Sequence, residues 1–150
     1  MRKSAIVLFS FFFFAWLLDL RDSVPAYAHS CQVGYRGVCA SYYDGNFIGR
    51  TMANGERYHT DTYAVAHRCR PFGQMVQITN LRNGKSVVVE VKDRGPYPEM
   101  LGNKKPIAYD LTLQPAKDLG MTKDGVVPID VVTLYTPRNA KYPCGKKNKT

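Results

Sequence analysis

The sequence lacks any long amphipathic helical pattern. Because no such helix alternates with its short apolar runs, a doubly wound α/β sheet is excluded. The apolar runs are short and rich in β-branched residues, and turn-forming pairs such as Asp44-Gly45 and Asn83-Gly84 separate them. This pattern predicts a mainly β fold with one or two short helices. A small β-barrel suits a chain of this length.

The sequence also lacks an apolar run long enough to span a membrane. The run from Ala5 to Leu18 is shorter than the about 20 residues that a span needs. It follows the basic start Met1-Arg2-Lys3 and precedes the small-x-small pattern Ala26-Tyr27-Ala28, as in a cleaved secretory signal. Residues 1–28 are therefore predicted to be a signal peptide, and the exported chain is expected to have no stable membrane span.

No Cys-x-x-Cys pair occurs, so a zinc site is a weak interpretation of the cysteines. An even number of cysteines in an exported chain predicts two disulfides, with three connectivities open. Lipidation of Cys31 is an alternative, but Ala28-His29-Ser30 is a poor lipoprotein signal and an odd thiol would be left over. The four cysteines are Cys31, Cys39, Cys69 and Cys144.

Acidic residues are few relative to basic ones. Residues 29–150 hold 18 Lys and Arg against 10 Asp and Glu. Nucleic acid is the usual partner of so basic a chain, but export argues against it. An anionic polymer outside the cytoplasm fits better, and a bacterial cell wall is one. Residues 137–150 form a basic tail that is expected to be solvated rather than to recognise a specific partner.

The chain does contain a series of short apolar runs, which follow a leader at residues 29–37. The polar loop 49–62 interrupts the series, and a loop of this length is often functional. Thr112 is the predicted N-cap of a short helix that Gly120 ends. The predicted strands and short apolar elements are Val38–Tyr43, Tyr63–His67, Met75–Thr79, Val87–Val91, Ile107–Leu111 and Val126–Tyr135.

The strand Val87–Val91 has the most distinctive end. Its odd-numbered valines share one face at period two, and Gly95-Pro96 stops the strand. Asp93 is thereby held at the end of a rigid strand, beside the guanidinium of Arg94. A structural ion pair is one interpretation of this arrangement, and a catalytic carboxylate is the other.

Four sequence blocks between residues 38 and 135 occur in an order and spacing typical of one family. They are Ala40-Ser41-Tyr42-Tyr43, Ala53-Asn54-Gly55-Glu56, Ala66-His67 with Pro71-Phe72-Gly73, and Asp93-Arg94-Gly95-Pro96 with Asp110-Leu111-Thr112. The chain resembles the rare lipoprotein A (RlpA-like) family. The resemblance implies a small six-stranded double-psi β-barrel over residues 38–136, as in expansins. It also implies a lytic transglycosylase that cleaves peptidoglycan glycan strands and leaves 1,6-anhydro-muramic acid ends.

The resemblance assigns the catalytic roles to Asp93, Glu56 and His67. Glycosidic cleavage needs a carboxyl that protonates the leaving oxygen, and the muramic C6 hydroxyl can then attack its own C1 without water. In this interpretation Asp93 acts as acid and then base, Glu56 is a second carboxyl near the substrate, and His67 gives an orienting hydrogen bond. Tyrosines can offer flat apolar faces to sugar rings. The candidate substrate contacts are Tyr42, Tyr43, Asn54, Arg94 and Asp110.

Other interpretations stay open. Glu56 can be a solvated loop carboxylate and His67 a satisfied structural histidine. No cofactor is expected, and Glu56-x-x-His59 lacks the partner ligands of a metal site. A non-catalytic glycan-binding or wall-loosening module, as in expansin-like barrels, is the alternative function, and inverting hydrolysis would need two carboxyls far enough apart to admit a water. We expect a monomer, in the periplasm or associated with the cell wall, whose partner is the peptidoglycan glycan strand.

Two departures from the family pattern affect the site. Lys92 stands where the family commonly has asparagine, and its charge beside Asp93 is expected to favour the ionised carboxylate, which does not suit a general acid. The loop 97–106 is longer than usual and has Gly102-Asn103-Lys104-Lys105 in place of Gly-Arg.

The implied barrel also guides the cysteine pairing. Because the ends of such a barrel lie close together, we favour Cys31–Cys144 and Cys39–Cys69. The second of these bridges would contribute about 3 kcal/mol of stability in the chain-entropy model.

Overall fold

The computed structural model describes residue 31, residues 37–97 and residues 107–144. The expected signal peptide, most of the leader, nearly all of the 97–106 loop and the end of the basic tail lie outside these residues. Within the described part of the chain, no helix is long and apolar enough to cross a membrane.

Within these described residues, the fold consists of six strands and one short α-helix, with a 3-10 turn after the first strand. In chain order they are β1 (Val38–Tyr42), β2 (Ala64–Ala66), β3 (Met75–Asn80), β4 (Ser86–Asp93), β5 (Ile107–Leu111), α1 (Leu113–Asp118) and β6 (Val127–Tyr135). The strands close into a barrel in the order β1-β5-β2-β4-β3-β6. The prediction of a mainly β, six-stranded double-psi barrel with one or two short helices is confirmed.

Two strand pairs of the barrel, β1 with β5 and β2 with β4, are parallel, and the other neighbours are antiparallel. β2 separates β5 from β4, and its last residue, Ala66, pairs with Asp110 on one side and with Asp93 on the other. Asp110 in turn pairs with Ser41 of β1. The topology therefore brings Ser41, Asp110 and Asp93 into one row at a single rim of the barrel.

The core follows the period-two pattern of β4. Val89 and Val91 are fully buried and Val87 nearly so, whereas Val88 is exposed. Burial of one such side chain contributes about 1.5–3 kcal/mol relative to exposure. A rigid, well-packed strand therefore leads directly to Asp93.

Turn chemistry joins β3 to β4 as predicted. Gly84 has a φ of 72°, a conformation that suits glycine in the Asn83-Gly84 turn of an antiparallel hairpin. Buried Asn80 and exposed Asn83 both donate side-chain hydrogen bonds to the carbonyl of Leu119, just after the helix. The hairpin and the helix end are thereby fixed to each other.

Thr112 stands at the N-cap position of α1, as predicted, but its side chain does not cap the helix. Its hydroxyl instead accepts a hydrogen bond from the N–H of Ala64 and lies 3.0 Å from the Ala64 carbonyl oxygen. Thr112 therefore joins the end of β5 to the start of β2, the strand that separates the two carboxyl groups at the rim.

The structure confirms two disulfides but not the predicted pairing. Cys31 is bonded to Cys39, eight residues away, and Cys69 is bonded to Cys144, 75 residues away. Cys39 lies in β1 and packs with Cys31 and Ile107 in a small apolar cluster. The pairings Cys31–Cys144 and Cys39–Cys69 are therefore wrong.

The path of the chain after β6 explains the long-range bridge. Gln74, just before β3, donates a side-chain hydrogen bond to the hydroxyl of Thr136, with 2.7 Å between the two atoms. The C-terminal segment consequently returns to the turn that follows β2, and Cys144 comes next to Cys69 rather than next to residue 31. Closeness of the two chain ends was the wrong criterion for this pairing.

Candidate active site

Three hydrogen-bond donors converge on the carboxylate of Asp93 at the end of β4. Its Oδ1 accepts from the backbone N–H groups of Ala53 and Arg94, each at 2.8 Å. Its Oδ2 accepts from the hydroxyl of Tyr43, also at 2.8 Å. Asp93 is the acceptor in all three bonds, and they fix both oxygens in position.

The first of these donors comes from the loop 51–57, which folds onto the end of β4. The bridge between Thr51 and Arg57 closes the loop, and the N–H of Asn54 donates to the carbonyl of Lys92 at 3.1 Å. Gly55 has a φ of 94°, which few other residues adopt without strain. The result is a rigid loop that aims the N–H of Ala53 at Asp93.

Asn54 has a structural task in this loop. Its Oδ1 accepts the N–H of Glu56 at 3.0 Å, as in an Asx turn. This predicted substrate contact therefore shapes the loop, and its backbone lies beside the end of β4.

Glu56 lies in the same loop but is held by a lysine. The Nζ of Lys92 is 2.6 Å from Oε2 of Glu56 and 3.4 Å from a carboxylate oxygen of Glu90. The hydrogen bond with Glu56 is the main cause of the raised pKa of Lys92. Successive residues of a strand point to opposite faces. The charge of Lys92 is therefore directed at the two glutamates. The sequence had led us to expect it at Asp93.

His67 follows β2 and is held in one tautomer. Its Nδ1 accepts hydrogen bonds from the backbone N–H groups of Cys69 at 3.0 Å and Arg70 at 2.9 Å. Burial, and then the charges of Arg70 and other arginines, lower the pKa of His67 to about 4. The imidazole is therefore neutral at neutral pH, with its proton on Nε2. His67 is connected to Asp93 through the backbone, since the N–H of His67 donates to the Asp93 carbonyl at 3.2 Å.

Tyr42 is the last residue of β1 and Tyr43 follows it, and the two side chains have different surroundings. Tyr43 stacks on Phe47, with 5.3 Å between ring centroids, and directs its hydroxyl at Asp93. Burial, followed by the charges of Asp93 and Asp110, raises the pKa of Tyr43, so this hydroxyl remains a donor. Tyr42 packs against the core and donates to the carbonyl of Thr122. Tyr43 is thus part of the site as a hydrogen-bond donor, and Tyr42 supports the barrel.

Arg94 does not direct its guanidinium at the Asp93 carboxylate. The group lies over the ring of Phe72, 3.5 Å from the centroid, and donates to the backbone carbonyls of His67 and Asp93. Burial lowers the pKa of Arg94. The side chain of Arg94 thereby joins the ends of β2 and β4, while its backbone N–H orients the carboxylate.

Asp110 is the second carboxyl of the rim. It is half-buried, and its Oδ1 accepts a hydrogen bond from the hydroxyl of Ser41 at 2.9 Å. Burial raises the pKa of Asp110 to about 6; the Ser41 hydrogen bond opposes this shift and the charge of Asp93 adds to it. The sequence placed Asp110 among the substrate contacts only. The available signal was a carboxylate inside a short, otherwise apolar strand.

The site contains two groups that sequence reasoning missed. Ser41 was visible only as part of a family block, and the backbone N–H of Ala53 carries no sequence signal because every residue except proline has one. No group of three or more His, Cys, Asp or Glu side chains within the described residues is arranged to hold a metal ion. The described residues at this rim include two carboxyls, one neutral imidazole and the hydroxyl groups of Ser41 and Tyr43.

Comparison with known proteins gives consistent matches over this barrel. A family model described as lytic transglycolase matches residues 36–131. The probable endolytic peptidoglycan transglycosylase RlpA of Aquifex aeolicus is 44% identical over 69% of this chain and 43% of its own length. The corresponding protein of a Nostoc species is 39% identical over 71% of this chain and 28% of its own. The endolytic peptidoglycan transglycosylase RlpA of Neisseria meningitidis is 36% identical over 67% of this chain and 40% of its own.

This chain thus spans less than half the length of these three relatives. A solved structure, the apo form of an expansin from Clavibacter michiganensis, matches 67% of this chain and 50% of its own at 23% identity, with a TM-score of 0.44. The family model, in contrast, includes all six strands except the last residues of β6. The chain belongs to the lytic transglycolase family.

Proposed function

We propose that this protein cleaves peptidoglycan glycan strands as a lytic transglycosylase and leaves 1,6-anhydro-muramic acid ends. One observation carries the proposal: three donors from separate parts of the chain hold the Asp93 carboxylate at the barrel rim. A carboxylate fixed so rigidly is preorganised for proton transfer or charge stabilisation. Membership of the lytic transglycolase family and the names of the relatives give the reaction class.

The reaction needs no external nucleophile. The bond between C1 of the muramic acid and the bridging oxygen breaks, and that oxygen gains a proton. The C6 hydroxyl of the same sugar bonds to C1 and loses its proton, so one proton is supplied and one is accepted per turnover. The fixed position of the Asp93 carboxylate suits it to take part in this proton transfer.

Glu56 and His67 have supporting roles in this proposal. Glu56 lies two residues beyond Asn54 in the loop that holds Asp93, and Lys92 restrains its side chain at 2.6 Å. Neutral His67 can donate a hydrogen bond from Nε2 to the substrate, since its Nδ1 is already occupied. The substrate lies outside the cytoplasm, so the proposal includes export of the protein to the periplasm or cell wall. We take the active form to be a monomer.

Mass spectrometry of digested cell wall tests the proposal. The purified exported protein is incubated with peptidoglycan sacculi, and anhydro-muramic ends are counted. Asp93→Asn keeps the shape of the side chain and should lower their release about 10²–10⁴-fold, because that is the usual contribution of one acid–base group. Asp130→Asn is the matched control, since Asp130 is an exposed carboxylate in β6 and should leave the rate unchanged.

Binding to sacculi and the circular dichroism spectrum distinguish loss of chemistry from loss of fold. Asp93→Asn should retain both. Full activity of Asp93→Asn would show that the carboxylate is not catalytic. If the wild-type protein binds sacculi but produces no anhydro ends, the barrel is a glycan-binding module, and release of reducing muramic ends would indicate hydrolysis.

A further inference from the structure

The barrel rim holds a second carboxyl whose surroundings differ from those of Asp93. Ser41, Asp110 and Asp93 lie in one row, with Ala66 of β2 between the two carboxyls. Asp110 accepts a single hydrogen bond from the described residues, through Oδ1 from Ser41. Its other oxygen has no such donor within the described part of the chain.

The groups around Asp110 favour its protonated form. The negative charge of Asp93, in β4, acts on Asp110. The β2 residue that pairs with Asp110 is the uncharged Ala66. From the end of β1 and the loop that follows, Tyr43 and Tyr58 come near; both are uncharged at neutral pH, because burial raises the pKa of each phenol. Within the described residues, the hydrogen bond from Ser41 favours the ionised carboxylate, and burial outweighs it.

We propose that Asp110 is the general acid of the reaction and that Asp93 is the base. This assignment rests on the proposed lytic function. The family resemblance gives both the acid step and the base step to Asp93, whereas here each step has its own carboxyl. The protonated oxygen of Asp110 donates to the glycosidic oxygen, which leaves as a hydroxyl when its bond to C1 breaks. Asp93 accepts the proton of the C6 hydroxyl as O6 bonds to C1. Proton exchange with solvent then restores Asp110 to its acid form and Asp93 to its carboxylate.

Tyr43 supports the division of roles. Its hydroxyl donates to Asp93 at 2.8 Å, and the charges of both carboxylates act on its pKa, so it lies near both. A donor on Asp93 stabilises the charge of the base, and that charge in turn helps Asp110 to keep its proton. The charge of Asp93 thereby helps to keep Asp110 in its acid form, as in other two-carboxyl sites.

The pH dependence of the rate is the direct test. An acid with a pKa of about 6 must be protonated, so kcat/KM of the wild-type enzyme should fall on the alkaline side of about pH 6. Asp110→Asn should lower kcat at least about 10²-fold and remove this alkaline limb. Ser41→Ala should move the limb to higher pH, since the Ser41 hydrogen bond lowers the pKa of Asp110. Asp130→Asn should leave rate and limb unchanged.

A second measurement does not depend on activity. Carbon NMR of the Asp110 carboxyl should give a raised pKa in the wild-type protein and a lower one in Asp93→Asn, because that substitution removes the neighbouring charge. An Asp110→Asn enzyme that retains the wild-type rate and its alkaline limb overturns the assignment while the lytic function stands. A wild-type enzyme that forms no anhydro ends overturns both. An ordinary aspartate pKa at Asp110 overturns the assignment whatever the rates.

Discussion

The ends of β4 and β5 carry the same functional group in two different surroundings. Asp93 accepts hydrogen bonds from three donors, two of which are backbone N–H groups. Asp110 accepts one from Ser41, and burial raises its pKa to about 6. Identical side chains on neighbouring parts of one rim thus lie in different surroundings. The hydrogen-bond donors and the degree of burial make this difference, rather than the residue type.

The two sides also differ in how the chain builds them. The donors to Asp93 include Tyr43 and Ala53, which are 50 and 40 residues away in sequence. The Asp110 side consists mainly of adjacent strands, β1 and β5. Each side has its own disulfide: Cys69–Cys144 follows β2 beside His67, and Cys31–Cys39 lies at the start of β1. The two sides can therefore be perturbed separately.

Removal of Cys69–Cys144 should have the largest effect. The double substitution Cys69→Ser with Cys144→Ser should lower the free energy of unfolding by about 4.5 kcal/mol, because the bridge closes a long loop. Turnover per folded molecule should also fall, since the N–H of Cys69 donates to Nδ1 of His67. Urea denaturation measures the first effect and release of anhydro ends the second.

The matched control is Cys31→Ser with Cys39→Ser. This bridge spans only eight residues, so its loss should cost about 2.5 kcal/mol. Turnover per folded molecule should stay at the wild-type level, because both cysteines pack with Ile107 at the starts of β1 and β5, whereas Ser41 and Asp110 lie near the ends of these strands. Equal losses of stability and turnover in the two variants would contradict a separate role for each disulfide.

The disulfide pairing, compared with the strands and turns, shows which features the sequence could predict. β4, the Asn83-Gly84 turn and the position of Asp93 at a strand end followed from local patterns, namely period-two valines and turn residues. These patterns reflect burial and backbone preferences that act over a few residues. The cysteine pairing depends on the path of the chain after β6, which no local pattern encodes, and the prediction was wrong.

The sequence likewise predicted only those parts of the candidate site that local patterns or family blocks indicate. The family blocks brought attention to Asp93, Glu56 and His67, and their catalytic roles remain predictions. The ion pair between Lys92 and Glu56, in contrast, depends on how the loop 51–57 folds onto β4. The raised pKa of Asp110 depends on burial and on the charge of Asp93, which is separated from it by β2. These effects arise from tertiary contacts, which local sequence patterns do not predict.

The pH dependence of stability should separate Asp110 from His67. The folded-state pKa of Asp110 is raised from 3.8 to about 6, so its contribution is present below pH 3.8 and is lost as the pH rises through 6. The folded-state pKa of His67 is lowered from 6.5 to about 4, so its contribution is present above pH 6.5 and is lost as the pH falls through 4. The two contributions oppose each other between about pH 4 and 6.

Single substitutions should expose each slope. Asp110→Asn should leave a protein whose free energy of unfolding falls between pH 6.5 and 4, by at most about 3 kcal/mol since the imidazole is only half-buried. His67→Asn should show the reverse, a fall as the pH rises from 3.8 to 6, with a similar upper limit. Urea denaturation at a series of pH values measures both. Parallel curves for the two variants would contradict the opposite shifts.

Tyr43→Phe should have the smallest effect and tests the Asp93 side alone. It removes the one side-chain donor to the carboxylate and leaves the stacking on Phe47 in place. A hydrogen bond to a charged group contributes about 1.5–3 kcal/mol, but two backbone donors remain, so we expect a loss in kcat of roughly tenfold.

Tyr63→Phe is the matched control for this change, because the hydroxyl of Tyr63 also donates to an aspartate, Asp118, which belongs to α1 and not to the site. It should leave kcat unchanged. If Tyr43→Phe lowers kcat no more than Tyr63→Phe does, the two backbone N–H groups suffice to orient Asp93. The contrast between the two carboxyls would then depend on the fold of the loop 51–57 and the turn at Arg94, and not on the tyrosine.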